Sequence, residues 1–137
     1  MLRNAGAVGL GLVLGMALNM AIIQLNMNLF FPAPAGMDMN DPEQFNAYIA
    51  GLPMAAFLVV MLAHLGQSFV GAWIAARLGA SRPLRLAMII GVISLAGGIW
   101  AMTIIKGPDW MMIELPLYLV AAWLAGRLEQ KRRAETE

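Results

Sequence analysis

The sequence predicts an all-α membrane protein. We expect a bundle of four transmembrane helices, built from two tandem parallel hairpins, with a short amphipathic helix on the outer side. Of the 137 residues, 61% are hydrophobic and 12% are charged, whereas a soluble domain has roughly 45–50% apolar and about 25% charged residues. Four long segments are free or nearly free of charge, and the basic residues collect on one side of them.

The four segments fall at about residues 5–31, 53–77, 85–105 and 110–127. Each is close to the roughly 20 apolar residues that a membrane-spanning helix needs. A cleaved signal peptide has a shorter apolar run, so we expect the first span to be retained. The chain then forms a single domain over residues 1–137, with an outer loop and helix at 32–52 and a solvated tail at 128–137.

The outer connection contains its own helix signals. Asp41 is an N-cap residue, Pro42 follows at the first helical position, and Gln44 completes a capping box. Four apolar side chains then share one helical face: Phe45, Tyr48, Ile49 and Leu52. This helix either seals the outer end of the bundle or forms a lid over a pocket.

The basic residues predict the orientation of the chain. Eight of the nine lie before span 1, between spans 2 and 3, or after span 4: Arg3, Arg77, Arg82, Arg85, Arg127, Lys131, Arg132 and Arg133. Because cytoplasmic loops carry an excess of Lys and Arg, both termini are expected in the cytoplasm. The expected first partner is the lipid bilayer.

The ends of spans 2 and 4 resemble each other. Residues 71–78 read GAWIAARL and residues 121–128 read AAWLAGRL, an offset of 50. Spans 1 and 3 match more weakly at an offset of 82. This pattern predicts a duplicated hairpin related by an axis along the membrane normal, and chance similarity of small-residue helices is the alternative.

Small residues are spaced for close helix packing, which is how helices associate in lipid. The predicted packing positions are Gly11, Gly15, Gly71, Ala75, Gly97, Gly98, Ala122 and Gly126. Most such stripes pack helices within one chain, and some drive oligomers. We therefore also expect either a homo-oligomer, of which a dimer is the first expectation, or docking to other membrane proteins.

Two ionisable residues interrupt the apolar spans at equivalent repeat positions. His64 and Glu114 each precede an arginine of the inner boundary by 13 residues, which is about 20 Å along a helix. With neighbours at similar depth they form a predicted ligand or proton pocket: Asn19, His64, Gln67, Ser68, Glu114 and Tyr118. An ionisable residue inside a membrane is by default a hypothesis of function.

The pocket predicts a small transport or ligand-binding module that opens outward, and if either group titrates near neutrality the site would be a pH switch. In the alternative, Glu114 meets lipid headgroups, His64 is a packed bundle histidine, and the protein is a structural or accessory one that acts through helix packing.

The composition argues against other functions. The chain has no cysteine, one histidine and a net charge of +1, so thiol chemistry, multi-histidine metal centres and nucleic-acid binding are not expected. No nucleophile–histidine–acid set or nucleotide motif is present. We expect no enzyme, no catalytic residues, no cofactor and no metal. The twelve methionines are expected to fill gaps between apolar side chains. The alternative is that their thioethers bind Cu(I).

Several short motifs are spread over most of the chain: Pro34-Ala-Gly36-Met-Asp38, Leu62-Ala-His64-Leu-Gly66, Val70-Gly71-Ala72, Gly97-Gly98-Ile99, and Trp110 with Glu114-Leu115 and Tyr118. Together they resemble a family of small bacterial four-span integral membrane proteins. The resemblance implies the four-helix fold and a bacterial inner (cytoplasmic) membrane, and it implies no activity.

Overall fold

The structure is a computed structural model that describes residues 1–136. It is 82% helical and has no strand among those residues. Five α-helices follow one another: α1 (Leu2–Leu25), α2 (Pro42–Ala50), α3 (Met54–Leu78), α4 (Pro83–Ile104) and α5 (Glu114–Ala134). A π-helical turn, Asn26–Phe30, continues α1, and a 3-10 helix, Asp109–Ile113, leads into α5.

Four segments are long and apolar enough to cross a membrane: Leu2–Phe30, Met54–Leu78, Pro83–Ile104 and Asp109–Ala134. The all-α prediction with four candidate spans is therefore confirmed. The tandem hairpin arrangement and the amphipathic helix on the outer side stay predictions.

Helix α3 lies at the centre of the bundle and packs against α1, α4 and α5. The most extensive pairings are α1 with α3 and α4 with α5. The buried core is built largely from alanines of α3, α4 and α5, with Leu86 and Ile90 between them. Small core residues let the helix axes approach closely, so dispersion contacts replace the hydrophobic driving force that is absent between helices in lipid.

Glycines make the α1–α3 contact possible. A Cβ atom on Gly11 would meet the carbonyl oxygen of Gly71. A Cβ on Gly15 would lie 2.7 Å from the carbonyl oxygen of Gln67. Because the obstacle in each case is backbone, a larger residue would have to separate the two helices.

The α4–α5 contact uses the same device at other positions. A Cβ on Gly91 would lie 2.7 Å from Cβ of Ala122, and a Cβ on Gly126 would lie 2.8 Å from Cβ of Ala87. Gly97, by contrast, is exposed and has open space where a side chain would be. The sequence predicts a packing role for Gly97, but the structure places Gly97 on the outer face of α4, where a Cβ would contact no other helix within residues 1–136.

The end of the bundle that carries most of the arginines, which we call the basic end, is joined by hydrogen bonds between distant parts of the chain. The Arg3 Nε–H donates to the Leu78 carbonyl at 2.9 Å, and the Asn4 side chain accepts from the Ala80 amide at 2.7 Å. Arg133 Nη2 donates to the Ala76 carbonyl at 2.6 Å. Both ends of the chain therefore meet the α3–α4 turn at the same end of the bundle.

The segment after residue 127 differs from the solvated tail that the sequence predicts. Helix α5 continues to Ala134, and Glu129 is only 1% exposed. Its carboxylate accepts hydrogen bonds from Arg132 at 2.6 and 2.9 Å and from Arg133 at 3.1 Å, and Arg77 lies 3.5 Å away. The charges pair within the chain, which allows a run of polar residues to pack against the bundle.

We expect Gly15→Leu to destabilise the protein by about 1–3 kcal/mol, the usual cost of forcing extra atoms into a packed contact. Gly9→Leu is the matched control, because it makes the same gain in helix propensity at an exposed glycine with no atom within 4 Å. Unfolding in mixed detergent micelles, followed by tryptophan fluorescence, measures both. Equal stability of the two variants would show that the α1–α3 contact does not limit stability.

Candidate functional site

A cavity of about 460 Å³ lies at the end opposite the basic end, which we call the loop end. Its walls come from all five helices and from the α4–α5 connection. Helix α2 covers it with Phe45, Tyr48 and Ile49, and Leu52 follows in the connection to α3. His64 and Glu114 also line it. The remaining wall is mostly apolar, and Asn26, Lys106 and Asp109 add polar groups.

His64 and Glu114 are in direct contact. His64 Nδ1 lies 3.1 Å from each carboxylate oxygen of Glu114. The Glu114 side chain is 4% exposed and that of His64 is 25% exposed. The acid is therefore enclosed by protein, while part of the imidazole faces open space. Glu114 therefore contacts His64 within the bundle, and the ligand or proton pocket stays a prediction.

Two further residues of the predicted pocket support the pair. The Tyr118 hydroxyl donates to Glu114 Oε1 at 3.1 Å, one turn further along α5. The Ser68 hydroxyl, one turn after His64, donates to the Tyr118 carbonyl at 2.9 Å. The contacts His64–Glu114 and Ser68–Tyr118 both join positions 50 residues apart. Two helical faces are thus linked by polar contacts in a region where water is scarce.

The residues around Glu114 explain how its carboxylate comes to face α3. The 3-10 helix Asp109–Ile113 precedes it, and α5 begins at Glu114 itself. Pro116 lies in the first turn of α5, just after the change from the 3-10 helix to the α-helix. Gly98 on α4 leaves room for the tyrosine, because a Cβ there would lie 2.7 Å from the Tyr118 ring.

Of the six residues of the predicted pocket, His64 and Glu114 line the cavity, whereas Asn19, Gln67, Ser68 and Tyr118 do not. Gln67 lies at the α1–α3 contact, where its backbone oxygen and Cγ are close to Gly15. Asn19, one turn after Gly15, has a buried side-chain oxygen without a hydrogen-bond partner in the described chain. The rise per residue sets the level of a side chain along its helix but not the direction in which it points, and Asn19 and Gln67 lie apart from the cavity.

The sequence reasoning missed Asn26, which lines the cavity and is 2% exposed. Its Nδ2 donates to the Ala56 carbonyl at 3.2 Å, and its Oδ1 has no partner within residues 1–136. Asn26 also begins the π-helical turn, a distortion that is frequent at functional sites. The cluster of amides Gln24, Asn26 and Asn28 in an otherwise apolar span was the available signal.

Few contacts hold α2 over the cavity. The Tyr48 hydroxyl donates to the Phe31 carbonyl at 2.6 Å, and Asn46 Oδ1 accepts from the Lys106 amide at 3.0 Å. The Asp41 carboxylate caps the helix by accepting from the amides of Glu43 and Gln44. The Gln44 side chain and these amides hold the pKa of Asp41 below its usual value. Helix α2 thus depends on its own cap and on two tertiary hydrogen bonds.

The cavity wall also includes Met27, Met102, Met111 and Met112. Within residues 1–136, no group of three or more histidine or acidic side chains is placed to hold a metal ion. Thioethers in an apolar wall act as adaptable packing groups.

The chain matches no protein-family model, no curated protein and no solved structure. The resemblance to small bacterial four-span proteins stays a prediction.

We expect Asp41→Ala to loosen α2, because the first-turn amides lose their acceptor, whereas Asp41→Asn keeps an effective N-cap. Hydrogen–deuterium exchange of residues 43–50 measures this as several-fold faster exchange in the alanine variant alone. The wild-type helix should loosen in acid, since a lowered folded-state pKa gives stability that is present above the unfolded pKa. That stability is lost as the pH falls through the folded value. Equal exchange in both variants would contradict the capping role.

Proposed function

We propose that this chain is a non-enzymatic integral membrane protein that binds a small molecule in the loop-end cavity. The observation that carries the proposal is the His64–Glu114 pair in the wall of a cavity of about 460 Å³. Small-molecule sites usually measure roughly 300–1,000 Å³ and combine apolar walls with a few convergent polar groups. An ionisable side chain inside a membrane span is costly and is by default a hypothesis of function, so a binding role accounts for the presence of Glu114.

The hydrogen bonds around the pair favour binding over catalysis. A covalent mechanism needs a nucleophile within hydrogen-bond reach of its base. The Ser68 hydroxyl donates to the Tyr118 carbonyl, and the Tyr118 hydroxyl donates to Glu114. Each nearby hydroxyl group therefore has a structural partner.

We further propose that the basic end faces the cytoplasm of a bacterium and the loop end faces outward. The positive-inside rule supports this orientation, and both chain ends contact the α3–α4 turn at the basic end. Transport would need a second opening at that end, where Glu129 and its arginines lie between α3 and α5. Binding from the outer side is therefore the function that the geometry supports best.

Single-cysteine variants test this proposal in a chain that has no native cysteine. In right-side-out vesicles, we expect a membrane-impermeant thiosulfonate reagent to label Ala101→Cys, since Ala101 lines the cavity. Ala80→Cys, in the exposed α3–α4 turn, should be labelled only after the vesicles are opened. Gel-shift assays of the modified chain give both rates.

The matched control is Ile99→Cys, which lies two residues from Ala101 on α4 but points outward. It should resist labelling, because a thiol in hydrocarbon does not ionise. Failure to label Ala101→Cys in opened vesicles would contradict a water-accessible cavity. Labelling of Ala80→Cys in sealed vesicles would reverse the orientation.

A structural or accessory role is the second candidate function. Gly6, Gly9 and Gly97 are exposed, with no atom within 4 Å of the position of a Cβ, so another helix has room to approach closely there. Gly11, Gly15 and Gly91 are already used inside the chain. Fewer glycines are therefore free to contact another protein than the sequence predicts, and the surface available for such a contact is smaller.

Oxidative cross-linking of Gly97→Cys in native membranes tests self-association through α4. A disulfide-linked dimer is the expected result if this face is an interface, and Ile99→Cys on the same helix is the control. A monomer in both variants would argue against a dimer through α4.

A further inference from the structure

We propose that the loop-end cavity takes a lipophilic organic cation, which competes with a proton for the His64–Glu114 pair. This inference rests on the proposed binding function and names its ligand class. It follows from the charge of the pair, from the other charged groups that face the cavity, and from the chemistry of the walls.

The hydrogen bonds around Glu114 suit an ionised carboxylate. Oε1 accepts from the Tyr118 hydroxyl, and both oxygens face His64 Nδ1. With its hydrogen on Nδ1, a neutral imidazole carries a lone pair on Nε2, and Nε2 has no hydrogen-bond partner among residues 1–136. In this state the pair bears one negative charge and presents an acceptor.

The other titratable groups at the cavity do not cancel that charge. Lys106 and Asp109, on the α4–α5 connection, carry opposite charges and are both exposed. Tyr48 on α2 is neutral and donates its hydroxyl hydrogen to the Phe31 carbonyl. The parts of α1 and α4 that line the cavity contribute no titratable side chain. An anion would therefore meet an uncompensated carboxylate, whereas a cation would neutralise it.

The walls suit a cation with an apolar body. The aromatic residues Phe45, Tyr48 and Phe57 line the cavity, and an aromatic face attracts a cation most strongly when the cation has lost its water. Phe57 is held edge-to-face by Trp110, with ring centroids 6.4 Å apart. The flexible methionine side chains of the wall can adapt to apolar bodies of different shape.

Competition with a proton follows from the same charge balance. In the empty cavity, a proton on His64 Nε2 makes the pair neutral overall, with an imidazolium beside a carboxylate. When a cation enters, the Nε2–H bond breaks, its electron pair stays on the nitrogen, and the proton leaves to water. One positive charge enters and one leaves, so the low-dielectric site stays neutral and both states avoid an uncompensated buried charge.

The test measures binding of radiolabelled tetraphenylphosphonium to the full chain in nanodiscs of zwitterionic lipid, with empty nanodiscs subtracted. We expect saturable binding that weakens at least fivefold between pH 8 and pH 5.5. In weak buffer at the lower pH, each cation bound should release up to one proton. Tetraphenylborate, an anion of nearly the same size and shape, should show no saturable binding.

Glu114→Gln should weaken tetraphenylphosphonium binding at least tenfold, because it removes the charge and keeps the shape. Glu43→Gln is the matched control, since it removes the same charge from an exposed position on α2 and should bind as the wild type does. His64→Gln should still bind the cation but release far fewer protons. This variant tests the proposal even if Glu114→Gln does not fold.

Equal binding of tetraphenylborate, wild-type binding by Glu114→Gln, or unchanged proton release by His64→Gln would each overturn the inference. If tetraphenylphosphonium does not bind although Ala101→Cys is labelled in vesicles, the choice of a cation fails and a binding cavity remains. If Ala101→Cys is never labelled, the proposed function fails as well.

Discussion

The contact between His64 and Glu114 is the interaction on which the loop end depends. A carboxylate in a membrane-spanning bundle has little water to solvate it, so protein groups must supply its hydrogen bonds. His64 and the Tyr118 hydroxyl do so. Tyr118 in turn needs the space that Gly98 leaves. One acidic group thus sets requirements on α3, α4 and α5 together.

Much of the fold could be predicted because lipid imposes few, strong rules. The lengths of the charge-free segments predicted the four long helices. Asp41 and Pro42 correctly predicted the start of α2. The matching level of His64 and Glu114 followed from counting residues, since a helix rises by a fixed distance per residue. Their direct contact did not follow from that count, because depth says nothing about how each helix is rotated.

Rotation is also the reason that Asn19 and Gln67 lie away from the cavity. Asn26 was missed because it lies at the π-helical turn, where the regular helical spacing ends. Glu129 was expected to be solvated because its neighbours are charged, yet Arg132 and Arg133 bind it within the bundle. Regular helices were predictable, whereas distortions and side-chain pairing were not.

Different contacts hold the elements together at the basic end and at the loop end of the bundle. At the basic end, contacts from Arg3, Glu129 and Arg133 link both chain ends to the α3–α4 turn. At the loop end, two tertiary hydrogen bonds attach α2, and neither lies between the four long helices. Substitutions in α2 can therefore change the shape of the cavity and its opening without weakening the bundle, so this part of the scaffold can vary in evolution at little cost to folding.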